Sequence, residues 1–177
     1  MCALLPKPTS RKHPRARDCH APLKIKIEAW LDAEGISFKD VPDFNSHFHI
    51  LANFKNVAIH IHESKVRHGV LVVSGELTPS RTQLERLERI KPEERRSLFL
   101  SLFALLDRSE YLFMLQEDFA SRSWLRIQRT LYIEDLTRSS LLGEAKDLNT
   151  KFVNMNYALN EALGALAPPS NDPPIYS

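Results

Sequence analysis

Two His-x-His steps carry the most distinctive chemistry in the chain, His47 with His49 and His60 with His62. Neutral imidazole nitrogen is a common ligand for zinc, nickel and copper, so four such side chains brought together could hold a metal ion. Whether they meet is a question of strand register. If Lys55 and Asn56 form a two-residue turn, Phe54 pairs with Val57, Ala52 with Ile59, Ile50 with Ile61, and His49 with His62. That register places all four histidines on one face. Phe48, Ile50, Ala52, Phe54, Val57, Ile59 and Ile61 gather on the other, and a one-residue slip would mix the two sets. His49 and His62 are then the first pair of ligands to test. The plainer reading makes these histidines the polar, solvent-facing half of an alternating sheet. No nearby cysteine or well-placed carboxylate completes a coordination shell, which needs three or four ligands and a supporting second layer. The expectation is therefore no cofactor, with zinc, nickel or copper on His47, His49, His60 and His62 as the alternative. His13 and His20 lie near the N-terminus and add little to either reading.

Other reactive patterns are missing. With only five glycines there is no Gly-rich phosphate loop, and neither a Gly-x-Ser-x-Gly nor a His-Glu-x-x-His step occurs. The two cysteines, Cys2 and Cys19, both lie near the N-terminus, where a thiol would lack a fixed base and oxyanion donors, and where they cannot staple a core. The carboxylates single out no acid/base pair, so no enzymatic activity is expected. Lys and Arg number 24 against 22 Asp and Glu, a net +2 that is far from the balance of a dedicated nucleic-acid binder. The basic residues Lys7, Arg11, Lys12, Arg15 and Arg17 could rest weakly on nucleic acid, but no aromatic residue is interleaved for base stacking. Arg122, Arg126 and Arg129 read as surface charge paired with acidic residues such as Glu117 and Asp118. Trp30 belongs to an apolar helix stripe, whereas Trp124 sits in or beside a hairpin loop, where an aromatic can anchor a partner, although core packing is the expectation for both.

The elements that must position these residues can be read from periodicity. Residues 1–21 mix three prolines with basic side chains and predict a flexible arm, and Pro168, Pro169, Pro173 and Pro174 predict a loose tail over 167–177. One α+β domain is left, residues 22–166. Leu23, Ile27, Trp30 and Leu31 recur at helical spacing and Gly35 supplies a left-handed stop. Residues 46–54, 57–63 and 68–77 alternate as strands. Thr78 before Pro79 can start a helix reaching about Ile90, and Pro92, Glu93 and Glu94 start another, carrying Leu98, Phe99, Leu102, Leu105 and Leu106 and expected to be the central helix of the core. Residues 110–116 and 125–133 predict a second hairpin, and Thr137 caps a last helix with Leu141, Ala145, Leu148, Phe152, Met155, Leu159 and Leu166 on one stripe. The order α-βββ-αα-ββ-α points to an antiparallel sheet with helices on one face. The longest apolar stretch, Leu98 to Leu106, is about half the ~20 residues of a membrane span, and the basic N-terminus contains no signal-peptide core, so a cytoplasmic, reducing location is expected.

Trp30-Leu31-x-x-Glu34-Gly35-Ile36, the Pro42-Asp43 and Phe48-His49 steps, Pro92-Glu93-Glu94-Arg95-Arg96, and Ile127-Gln128-Arg129 before Tyr132-Ile133 and Leu136-Thr137 occur in an order that resembles a family of uncharacterised, mainly archaeal proteins, domain-of-unknown-function family 2299. The resemblance implies a fold similar to the type III secretion chaperones, in which helices pack on one face of a curved antiparallel sheet and dimers are frequent. It carries over no catalytic or binding residue. The combined expectation is a small, non-enzymatic protein-binding module, chaperone- or adaptor-like, with a protein partner of unknown identity, a homodimer as one form it could take, and no membrane partner.

Overall fold

The computed structural model describes residues 20–55, 57–106, 111–115 and 125–165. Its elements are α1 (Ala21–Ala33), β1 (Phe38–Asp40), β2 (Ser46–Phe54), β3 (Val57–Ser64), β4 (Val70–Leu77), α2 (Arg81–Arg89), α3 (Pro92–Ala104), β5 (Leu112–Leu115), β6 (Leu125–Tyr132) and α4 (Arg138–Ala165). The expected order is present with one addition. β1 is too short to alternate visibly, and it forms because β2 offers an edge, pairing Phe38 with Ala52 and Asp40 with Ile50. All six strands are antiparallel in the spatial order β1-β2-β3-β4-β6-β5. Residues 1–19 of the expected arm, the tail over 167–177, and the loop with Arg122 and Trp124 lie outside the described residues.

Each helix is bounded by local chemistry. α1 ends in a Schellman motif, in which Gly35 takes a left-handed φ of 67° and the amides of Gly35 and Ile36 donate to the carbonyls of Asp32 and Leu31. α2 begins two residues later than expected. Ser80, not Thr78, is its cap, because Ser80 and Gln83 complete a reciprocal capping box that Thr78 cannot form. Gln83 does more than cap, since its amide nitrogen donates to Asn156 at 3.1 Å and Asn160 at 2.8 Å, tying α2 to α4. α3 starts with Pro92 at its first turn and acidic Glu93 and Glu94 beside it. α4 is capped by Thr137, whose hydroxyl accepts from the Ser140 amide at 3.1 Å while Ser140 Oγ accepts from the Thr137 amide at 3.0 Å.

The apolar faces of all four helices join one core with the helix-side row of the sheet, which includes Ile50, Ala52, Ile59, Ile61, Val73, Leu125 and Ile127. α4, rather than α3, is the central helix. Leu141, Ala145, Leu148, Phe152, Met155, Leu159 and Leu163 are all buried along its 28 residues, whereas Leu100 and Leu105 of the α3 region remain half exposed. A smaller polar network holds the other margin. Buried Tyr111 donates its hydroxyl to Asp147, Lys151 pairs with Asp147 at 3.1 Å, and Arg129 pairs with Glu144 at 2.9 Å.

Helix and sheet approach closely at Gly75 on β4, where the Phe152 ring lies over the backbone. A methyl group on Gly75 would run into that ring, with two ring carbons at 3.0 Å and a third nearer still. Gly75→Ala is expected to destabilise the protein by about 1–3 kcal/mol through overpacking. Phe152→Leu in the same background should recover part of that loss, so the two costs measured by urea unfolding will not add. Strict additivity would show that the ring does not depend on the glycine.

Candidate functional site

The β2–β3 hairpin places the histidines. Lys55 adopts a left-handed φ of 58°, the conformation a two-residue hairpin turn requires, and Phe54 pairs with Val57 across it. The register beyond is the expected one, with Ala52 opposite Ile59, Ile50 opposite Ile61 and His49 opposite His62. The apolar alternate residues face the helices, and His49, His60 and His62 share the outer face with Ser74 and Val72 of β4. His47 does not join them. Pairing slips between Ser46 and Phe48, a β-bulge that takes His47 out of the alternation.

The three remaining imidazoles form a compact, half-buried group. His49 Nε2 lies 2.9 Å from His60 Nδ1, and the His49 ring is 5.1 Å from that of His60 and 5.4 Å from that of His62. Together with Asp43, Ser46, Ser64, Ser74 and Arg126 they line an open cleft of about 430 Å³. Asp43 accepts hydrogen bonds from the Ser46 hydroxyl and the Asn45 amide, which hold its carboxyl below the usual range, and its Oδ2 is 3.7 Å from His49 Nδ1. Arg126 pairs with Glu76 across β4 and β6, its Nε donating at 2.8 Å. Arg126 and Arg129 pair with Glu76 and Glu144, and the expected partners Glu117 and Asp118 lie outside the described residues.

Burial lowers the pKa of all three imidazoles. His62 is brought down to about 4 by burial and then by neighbouring His49, His60 is lowered by burial and His49, and His49 by burial despite Asp43. The trio is consequently uncharged near neutral pH. Such a patch can donate and accept hydrogen bonds without presenting charge, and it gains charge only in acid. The Nδ1 atoms of His49 and His62 are buried without a hydrogen-bond partner among the described residues, so this face holds unused hydrogen-bonding capacity.

His47 enters a different group. Its ring stacks on that of His20 with centroids 3.6 Å apart and planes 10° from parallel. His20 Nδ1 lies 2.8 Å from Oε1 of Glu63, a residue only 4% exposed that continues the helix-side row after Ile59 and Ile61. Among the described residues, His20, His47 and Glu63 are the one set of three potential metal-ligating side chains whose ligand atoms lie within 4.8 Å of one another. Sequence reasoning missed both partners. His20, at the end of the expected arm, is the cap residue of α1, and Glu63 was hidden by its place in an otherwise apolar row.

The family model for an uncharacterized conserved protein family, DUF2299, matches residues 23–157. Among solved structures, that of an uncharacterized protein from Methanothermobacter thermautotrophicus is similar with a TM-score of 0.70 at 19% identity, covering 80% of this chain and 99% of that one. A chain of the HopA1-SchA chaperone-effector complex is similar with a TM-score of 0.50 at 14% identity, covering 76% and 93% respectively. No curated protein matches. The fold is thus the α+β, chaperone-like one that the family resemblance implied. No described helix is long and apolar enough to cross a membrane.

The lowered histidine pKa values set a pH dependence. Above about pH 6.5 His62 is neutral in both the folded and the unfolded chain; as pH falls from there toward about 4, the unfolded chain takes up the proton first and stability is lost. The urea midpoint should therefore fall between pH 7 and pH 4.5, and His62→Gln should flatten that slope. An unchanged slope in the variant would show that His62 is not held neutral by its surroundings.

Proposed function

The chain belongs to the DUF2299 family, and from that premise we propose that it is a small, non-enzymatic, chaperone- or adaptor-like module that holds an extended segment of another protein. The observation that carries this reading is the outer margin of the sheet at β5, which pairs with β6 on one side and with no further strand among the described residues. An unpaired edge offers a row of backbone donors and acceptors to an added strand.

The side chains beside that edge are suited to the same purpose. Leu112 and Met114 stand opposite Gln128 and Arg126, on the outer face of the sheet, and are 56% and 52% exposed. Tyr132, opposite Val70 on the same face, is 63% exposed. Alternate apolar contacts of this spacing give an added strand its affinity, and the polar outer face around them can set its orientation. The likeness to a chain from a chaperone-effector complex supports the fold on which the reading rests, while the partner itself is part of the proposal. Neither a membrane nor nucleic acid is assigned as a partner, and the chain is proposed to act in the cytoplasm.

A photo-crosslinking residue placed at Leu112 in the full chain and activated in cells should yield a discrete adduct with a different protein. The same residue at Lys39, on the opposite edge strand β1, should not. Adding Met114→Asp to the Leu112 probe should abolish the adduct without changing the far-ultraviolet circular dichroism. An adduct of twice the chain's own mass would identify a second copy instead, and equal labelling at Lys39 would remove β5 as the docking edge.

A further inference from the structure

We propose that His20, His47 and Glu63 form a binding site for a divalent first-row transition-metal ion, each contributing one ligand atom. The site is distinct from the His49, His60 and His62 cleft, and it lies on the other side of the β2 strand.

Glu63 makes the strongest case. Its carboxylate is almost fully buried, and a buried carboxylate can accept several hydrogen bonds. Oε1 is approached by His20 Nδ1 at 2.8 Å, but Oε2 is buried with no hydrogen-bond partner. Leaving a buried anionic oxygen without a donor is costly, and nearly all such atoms in folded proteins are satisfied by a donor, water or a cation. Two imidazoles already stand beside it, and imidazole with carboxylate is a ligand set suited to zinc and its neighbours in the first transition row.

Three unrelated parts of the chain converge to make this set. The β-bulge between Ser46 and Phe48 brings His47 out of its strand alternation and against His20, the cap residue of α1. β3 supplies Glu63 from the helix-side row, opposite Phe48. Ligand atoms bound tetrahedrally at zinc distances lie about 3.3 Å apart. Small side-chain rotations reach that from a set already within 4.8 Å. A cation would also displace the direct His20 to Glu63 contact and take the orphaned oxygen. Two histidines and one carboxylate leave coordination positions for water or for a ligand from a bound partner.

The alternative on the outer face is weaker on geometry. His49 and His60 already bond to each other through ring nitrogens, and their ligand atoms do not gather with that of His62 inside the same 4.8 Å limit.

The full chain, produced without a histidine tag and stripped with chelator, should bind one equivalent of zinc in a calorimetric titration. Cobalt should bind in its place with visible absorption of a low-symmetry nitrogen and oxygen site. Glu63→Gln and His20→Ala should each weaken zinc binding by at least about tenfold, whereas His62→Gln should leave it unchanged. The His20 ring is at the start of a helix and part-exposed, so His20→Ala decides the matter if Glu63→Gln fails to fold. The proposal is overturned by no saturable binding at one equivalent, by unchanged affinity in the His20 variant, or by a loss of binding in His62→Gln alone.

Discussion

The seat of the Phe152 ring on Gly75 sets how closely α4 can approach the sheet, and most of the core follows from that distance. Gly75 lies on an interior strand, between Ile59 of β3 and Ile127 of β6, so the ring is flanked on both sides by branched side chains of the helix-side row. Any larger residue in its place would lift the helix and open gaps along a stripe that reaches from Leu141 to Leu163. The other three helices pack into the cluster that this contact organises. The sheet's opposite face is left to other uses.

The two faces of the sheet differ along the β2–β3 hairpin. On the outer side, burial outweighs the nearby Asp43 and Glu76 carboxylates and keeps three imidazoles neutral, giving a polar cleft that carries no net histidine charge at neutral pH. On the helix side, one buried carboxylate follows the isoleucines at the end of β3, and two imidazoles crowd against it. A single irregularity in β2 separates the two environments. Without the bulge, His47 would continue the outer row beside His49, and Glu63 would face His20 alone.

Much of this was legible because period-two alternation is unambiguous where apolar and polar residues separate cleanly. The run from Phe48 to Ile61 allows only one register that keeps Ile50, Ala52, Ile59 and Ile61 together, and that is the register found. The bulge was invisible for the same reason: Ser46-His47-Phe48 continues the pattern on paper, and only pairing with β3 reveals the slip. Other misses arise from competition between local signals and tertiary contacts. Thr78 is a good cap in isolation, yet Ser80 wins because Gln83 stands three residues on and is itself fixed by α4. The apolar density of Pro92 to Leu106 suggested a central helix, but the longer and more regular stripe of α4 covers the sheet. His20 and Glu63 lie 43 positions apart, a separation at which spacing in the chain carries no information about proximity.

Gln83 joins two structural events in one side chain. Its carbonyl oxygen accepts from the Ser80 amide to start α2, while its amide nitrogen donates to Asn156 and Asn160 one and two turns beyond Phe152. The rotamer that caps the helix is therefore also the one that docks it. Fraying of the first turn of α2 and separation of α2 from α4 become a single opening event, so these backbone amides would exchange with solvent together rather than from the helix end inward. A nine-residue helix too short to persist alone thereby inherits the cooperativity of the core.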